Sequence, residues 1–138
     1  MSIPFAIFFD MDGTLLQTEK LSTPAFVRTF ERLREKGLWQ GETPSEEELV
    51  NVLGMTIEQV WKKLLPGASE ETVRAADTFL LENEIALLKE KVTDLYPGVR
   101  LTLEQLHALG IPLFVASNGQ EEYIEAICQE YGLKPLLT

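Results

Sequence analysis

Two aspartates one residue apart, Asp10 and Asp12, close the apolar run Phe5-Ala6-Ile7-Phe8-Phe9, with Gly13 and Thr14 directly behind them. A carboxylate in such a place can attack phosphorus directly, giving an aspartyl-phosphate and dividing one hard displacement into two easier ones. A second carboxyl can protonate the leaving oxygen and later deprotonate the attacking water. Bringing a carboxylate up to a phosphate dianion is unfavourable, so the pair needs a cation, and Mg²⁺ held by carboxylate and backbone oxygens would supply it. Asp10 is therefore expected as nucleophile, Asp12 as acid/base, and both as metal ligands. Gly13 allows a tight turn, while Thr14 can hold that turn or touch the phosphate. An EF-hand calcium loop would need a further acidic ligand before the glycine and flanking helices, and neither is present.

A second polar cluster, Ser117-Asn118-Gly119, ends the apolar run Ile111 to Ala116. A hydroxyl and free N–H groups at a strand end, ahead of a helix, form an anion cradle. Taken alone the tripeptide reads as an ordinary turn. Beside Asp10 and Asp12 it reads as the phosphate-binding half of one site, with Ser117, Asn118, Gly119 and Thr14 as candidate contacts.

These residues must be carried by short strands. Phe5 to Phe9 is brief and aromatic, which favours a strand buried on both faces in mid-sheet. Ile111 to Ala116 repeats the pattern. The segment between them has helical spacing and marked ends. Pro24 after Thr23, with Gly37 beyond Lys36, predicts one helix. Thr43-Pro44 with Glu46 predicts a capped second helix closing at Gly54, and Thr56 with Gln59 starts a third. Ser69 precedes the longest, running through Leu80, Leu81, Ile85 and Leu88 towards Val92. Pro97-Gly98 then breaks the chain, and Leu103, Leu106 and Leu109 predict a helix lying on the sheet. Helix, strand and helix in this order favour a right-handed parallel crossover, hence an α/β domain interrupted by a helical insert.

The bulk properties agree with one compact domain carrying an insertion, given 138 residues of which 45% are hydrophobic. A formal charge of −10 repels nucleic-acid backbones and anionic lipid. The basic residues are interleaved with glutamates, as in Glu31-Arg32-Leu33-Arg34-Glu35-Lys36, the pattern of a solvated helix face. No nucleic acid and no membrane is expected as partner. The single cysteine, Cys128, excludes an intrachain disulfide, and the start lacks a basic region before a short apolar run, so a cytoplasmic location is expected. Cys128 and His107 read as packing or surface groups on flanking helices, and Lys134 as a solvated loop lysine.

Asp10-Met11-Asp12-Gly13-Thr14-Leu15 resembles the first signature of the haloacid dehalogenase superfamily. The aspartate at the second catalytic position is similar to that of its phosphatases and phosphomutases rather than its dehalogenases. Ser117-Asn118-Gly119 resembles the second motif of the family. The order Tyr96-Pro97-Gly98-Val99, helix, Val115-Ala116-Ser117 is similar to the phosphoglycolate phosphatase and β-phosphoglucomutase-like branch. The resemblance implies an incomplete Rossmann-like parallel core over residues 1–16 and 93–138, with an all-helical cap over 17–92. It also implies that the cap closes over the site and selects a small phosphorylated metabolite, with Gly54 near the specificity loop. Gly54 reads equally well as a plain helix terminator.

The chain departs from the family after Leu15-Leu16, where Gln17-Thr18-Glu19 replaces the Asp-Ser pair of many relatives, leaving leaving-group recognition open. The lysine of the third motif and the acids of the fourth would lie one and two strand–helix units further on, beyond Thr138. The next strand would begin at Pro135-Leu136-Leu137. With one sheet neighbour encoded, the edge of the first strand would be bare, and a bare apolar edge invites pairing. The expectation is a fragment, a proteolysed remainder or a truncated gene product, forming a homodimer or swapped assembly that covers this edge. Three readings of function follow: a Mg²⁺-dependent phosphatase of small metabolites, a sugar phosphomutase using the same aspartates, or a catalytically silent remnant. These residues by themselves are expected to have little activity, since the cation partners of the transition state are absent.

Overall fold

A computed structural model describes residues 4–138. The elements in chain order are β1 (Ile7–Phe9), α1 (Glu19–Glu35), α2 (Glu46–Asn51), α3 (Ile57–Leu64), α4 (Glu70–Lys89), α5 (Val99–Ala108), β2 (Leu113–Val115) and α6 (Glu121–Glu130), followed by a short 3₁₀ turn at Lys134–Leu136. β1 and β2 pair in parallel, with Ile7 opposite Leu113 and Phe9 opposite Val115. This is the expected α/β architecture, a short parallel sheet with four helices inserted between its first strand and α5.

The path out to the insert and the path back lie side by side. Leu16 bridges Leu95 in antiparallel fashion, the Gln17 N–H donates to the Asp94 carbonyl at 3.0 Å, and the Tyr96 N–H donates to Leu15 at 3.0 Å. The Thr93 hydroxyl closes the crossing by donating to the Gln17 carbonyl at 2.6 Å. Whatever moves in the insert is therefore anchored by two adjacent backbone segments at the end of the sheet that also carries Asp10.

Packing of α1 on α4 forms the bulk of the insert. Leu21, Ala25, Phe30 and Leu33 are buried on α1 against Ala76, Leu80, Leu87 and Leu88 on α4. Each fully buried Leu or Phe contributes roughly 1.5–3 kcal/mol relative to exposure. A wholly buried polar group at this seam is satisfied: the Thr29 hydroxyl donates to the Ala25 carbonyl at 2.7 Å and accepts from Asn83 at 3.1 Å. On the outside, the Arg32 guanidinium lies 3.9 Å over the Phe79 ring.

Several local expectations are corrected. α1 begins at Glu19, so Pro24 lies inside the helix instead of opening it. Burial of Leu21 and Ser22 against the site rewards the earlier start, while Pro24 forfeits one helical N–H. The cap of α2 is Ser45, whose hydroxyl accepts the Glu48 N–H at 3.2 Å, and not Thr43. α4 stops at Lys89, where Lys91 turns to φ 57°, short of Val92. The Thr56–Gln59 capping box, the Ser69 cap and the left-handed Gly37 after α1 are as read from the sequence.

The strand expectation needs the largest revision. β1 is not buried on both faces: Phe8 is 67% exposed and stacks on Phe114 at 4.9 Å between ring centroids. Among the described residues β1 has a single strand neighbour, so its other edge is unpaired. On α5, Leu103 is buried but Leu109 is 66% exposed. Pro135-Leu136 forms the 3₁₀ turn rather than a strand, and pairing resumes only at Thr138, whose N–H donates to Leu113 at 2.8 Å.

Candidate active site

The turn after β1 is built on one buried side chain and one carbonyl. Met11 is fully buried, and its carbonyl accepts the N–H groups of Thr14, Leu15 and Leu16 at 3.3, 3.0 and 3.0 Å. Gly13 sits at φ 76° with open space around a would-be Cβ, so the backbone conformation, not crowding, calls for glycine there. The turn throws the carboxylates of Asp10 and Asp12 out from the carboxyl end of β1, where open α/β sheets bind ligands.

The two carboxylates have different settings. Asp10 is exposed and its Oδ1 accepts the Met11 N–H at 3.0 Å, which orients the group, while its second oxygen has no hydrogen-bond partner among the described residues. Asp12 is part-buried and its Oδ1 accepts two hydroxyls, Thr18 at 2.8 Å and Tyr123 at 2.7 Å. Burial and the Asp12 charge hold the Tyr123 phenol well above its ordinary range, so it stays protonated and donates. Asp12 is thereby clamped from α1 and α6 at once.

From β2 the chain delivers Ser117, whose hydroxyl accepts the Gly119 N–H at 3.0 Å and so shapes the turn into α6. A Cβ on Gly119 would stand 3.0 Å from the Tyr123 ring and 3.3 Å from the Ser117 hydroxyl, so glycine here admits the clamp on Asp12. Asn118 reaches across to the insert, its amide donating to the Gly54 carbonyl at 3.4 Å. Gly54 is thus both a left-handed turn residue, at φ 86°, and part of the site.

Asp10, Asp12, Ser117, Asn118 and Gly119 line one cavity of about 160 Å³ between the sheet end and the helical insert. Thr14 does not join them: it is exposed on the turn and outside the lining. Lys134, His107 and Cys128 are also outside it. Sequence reasoning missed three lining residues, Thr18, Tyr123 and Glu84. Glu84, on α4, has its carboxyl pushed up to about 8 by burial and by the Asp12 charge. Thr18 left a trace in the sequence, as the point where the family pattern breaks; Tyr123 and Glu84 left none.

The donor set is consistent with Mg²⁺ in its open mode, in which one or two carboxylates and several waters or phosphate oxygens complete the shell. Asp10 offers an unpartnered carboxylate oxygen and lines the same cavity as Asp12, and both are hard donors. Among the described residues no three His, Cys, Asp or Glu side chains converge into a closed metal cage. No helix among them is long and apolar enough to cross a membrane.

Comparison with known proteins agrees with this geometry. Protein CbbY of Cereibacter sphaeroides is 32% identical over 127 residues, 90% of this chain and 54% of its own length. The phosphoglycolate phosphatase of Aquifex aeolicus is 32% identical over 122 residues, 88% of this chain and 52% of its own. The crystal structure of CbbY from Rhodobacter sphaeroides in complex with phosphate superposes with a TM-score of 0.74 at 27% identity, covering 92% of this chain and 56% of that one. The chain thus spans about half the length of the relatives it matches. The haloacid dehalogenase-like hydrolase family matches residues 7–138, and with the paired aspartates, the serine turn and the shared fold it follows that the chain belongs to that family.

Proposed function

We propose that this chain carries the nucleophile, the acid/base and part of the phosphate cradle of a Mg²⁺-dependent phosphatase acting on small phosphorylated metabolites. Residues 1–16 and 93–138 form its catalytic part and 17–92 its cap. The observation that carries this reading is the contrast between Asp10, with one carboxylate oxygen unpartnered among the described residues, and a clamped Asp12 in one cavity with Ser117. The kinship with a phosphoglycolate phosphatase supports the reaction class.

In the first half-reaction the unpartnered oxygen of Asp10 forms a bond to phosphorus while the ester P–O bond breaks. Asp12 gives its proton to the departing oxygen, and the phosphoryl group rests on Asp10 as a mixed anhydride. In the second, Asp12 takes a proton from water as that water attacks phosphorus, releasing phosphate and restoring both carboxyl groups. Thr18 and Tyr123 occupy one oxygen of Asp12, which leaves the other to carry its proton. Ser117 and the N–H groups leading into α6 hold phosphate oxygens. Asp10 through its carboxylate and Asp12 through its backbone carbonyl would hold Mg²⁺, which supplies positive charge to offset repulsion between carboxylate and phosphate.

The test is Mg²⁺-dependent release of phosphate from an aryl phosphate by the whole protein carrying this chain. Asp10→Asn should lower the rate at least about a thousandfold with folding intact. A variant that keeps its rate would remove Asp10 from the mechanism.

A further inference from the structure

The two segments that join the insert to the sheet are held by a helix as well as by each other. The Thr93 hydroxyl donates to the Gln17 carbonyl at 2.6 Å, and the Thr93 carbonyl in turn accepts the Tyr131 hydroxyl at 2.8 Å. Gln17 is fastened twice more, its N–H to the Asp94 carbonyl at 3.0 Å and its side-chain amide to the Leu95 carbonyl at 3.2 Å. The Lys91 ammonium lies 3.3 Å from Glu130, a second tie from the returning segment to the end of α6. Burial, with Asp94 and Glu130 nearby, holds the Tyr131 phenol above its ordinary range, so it stays a donor.

These bonds close a ring through α6. Tyr131 caps that helix at its carboxyl end. The line runs from Tyr131 to Thr93, from Thr93 to Gln17, along the chain to Thr18, and from the Thr18 hydroxyl to Asp12 at 2.8 Å. It returns to α6 through Tyr123, which donates to the same Asp12 oxygen at 2.7 Å. The two tyrosines stand eight residues apart, about 12 Å along the helix at 1.5 Å per residue. Both donors to Asp12 are therefore referred to one rigid body, Tyr123 directly and Thr18 by way of Tyr131. Thr18 and Thr93 are buried, so a broken link there is not readily made good by water.

We propose that Tyr131 is a positioning residue for the acid/base carboxyl, holding the Thr18 hydroxyl on Asp12 from the carboxyl end of α6. The proposal deepens the phosphatase reading and rests on it. Tyr131 lies outside the lining of the cavity and acts only through Thr93, Gln17 and Thr18. Loss of its hydroxyl loosens Thr18, lets Asp12 turn, and slows protonation of the departing oxygen.

Two aryl phosphates, given to the whole protein carrying this chain with Mg²⁺, test it. Phenyl phosphate needs a proton on its departing oxygen, whereas para-nitrophenyl phosphate loses a stabilised anion and needs it less. Tyr131→Phe, which removes one oxygen and keeps the ring, should lower kcat/KM about tenfold for phenyl phosphate and less than about threefold for the nitrophenyl ester. Thr93→Val should do the same, and Thr93→Ser, which keeps the hydroxyl, should stay within about threefold of the parent. In a Thr18→Val background Tyr131→Phe should add nothing further. Equal losses on the two esters, or the full loss repeated in the Thr18→Val background, would overturn the proposal. Hydrogen exchange separates its failure from that of the phosphatase reading: Tyr131→Phe should speed exchange about tenfold over residues 13–22 and leave residues 25–33 unchanged. Unchanged exchange over 13–22 overturns the proposal whatever the activity, while a parent that releases phosphate from neither ester removes the phosphatase reading and the role of Tyr131 with it.

Discussion

The helical insert and the two-stranded sheet solve the same packing problem to different degrees. Along the α1–α4 seam Phe30 and Leu33 are wholly buried, and even the Thr29 hydroxyl is paired. On the sheet, Phe8 and Phe114 stack on each other, and Phe5 and Phe8 are 56% and 67% exposed. The insert closes its own core, whereas the sheet buries Leu113 but leaves Phe8 exposed, and it hands over Asp10, Asp12 and Ser117 at the carboxyl ends of β1 and β2. Stability and chemistry are thus lodged in different places, and the cavity lies where the two meet.

If that division is right, substitutions should sort by region. The largest effect on folding is expected from Phe30→Ala, which empties a fully buried site between α1 and α4 and should cost about 3–5 kcal/mol in chemical denaturation. Next, Tyr123→Phe removes one of the two hydroxyls clamping Asp12, and kcat should fall about 10- to 100-fold with KM little changed. A fall in KM-dependent affinity alone would mean that Tyr123 serves the substrate rather than Asp12.

The boundary between the regions should also show in the response to pH. Unfolded, Glu84 titrates near 4.5; folded, burial and Asp12 push it up to about 8. Between these values the unfolded chain is ionised there while the folded chain keeps its proton, so folding takes up a proton and stability falls as pH rises. Thermal unfolding should show this decline between about pH 5 and 8, and Glu84→Gln should flatten it. A slope unchanged by Glu84→Gln would assign the effect to other groups.

The smallest effect on stability belongs to the sheet's outer face. Phe8→Thr should change stability by no more than about 0.5 kcal/mol. The bare edge of β1, beside Phe8, is the one expected to draw a second copy of the chain. Light scattering should give a mass above the monomer for the parent and a shift towards monomer for Phe8→Thr. A monomeric parent would set that self-association aside.

What the sequence disclosed follows from how locally each feature is encoded. Asp10, Asp12 and the serine turn each sit at the end of a short apolar run, and the caps at Thr56 and Ser69 are written within four residues. Pro24 and Thr43 misled because local preference yielded to burial of Leu21 and Ser22 in one case and to the neighbouring Ser45 in the other. The exposure of Phe8 was invisible to an apolar pattern, which reports what a residue would prefer and not whether a partner covers it. Tyr123, 111 residues from the Asp12 it holds, and Glu84 on the insert required the tertiary fold. Their types are common and their neighbours are unremarkable.

Phosphoryl transfer onto the Asp10 carboxylate is the step on which the proposed function turns. Acid quenching during turnover, followed by peptide mass analysis, measures this directly. The account predicts one phosphoryl group on the peptide containing Asp10, absent without Mg²⁺ and absent in Asp10→Asn. Sustained turnover with that peptide unmodified, or with the phosphoryl group on a different residue, would contradict it.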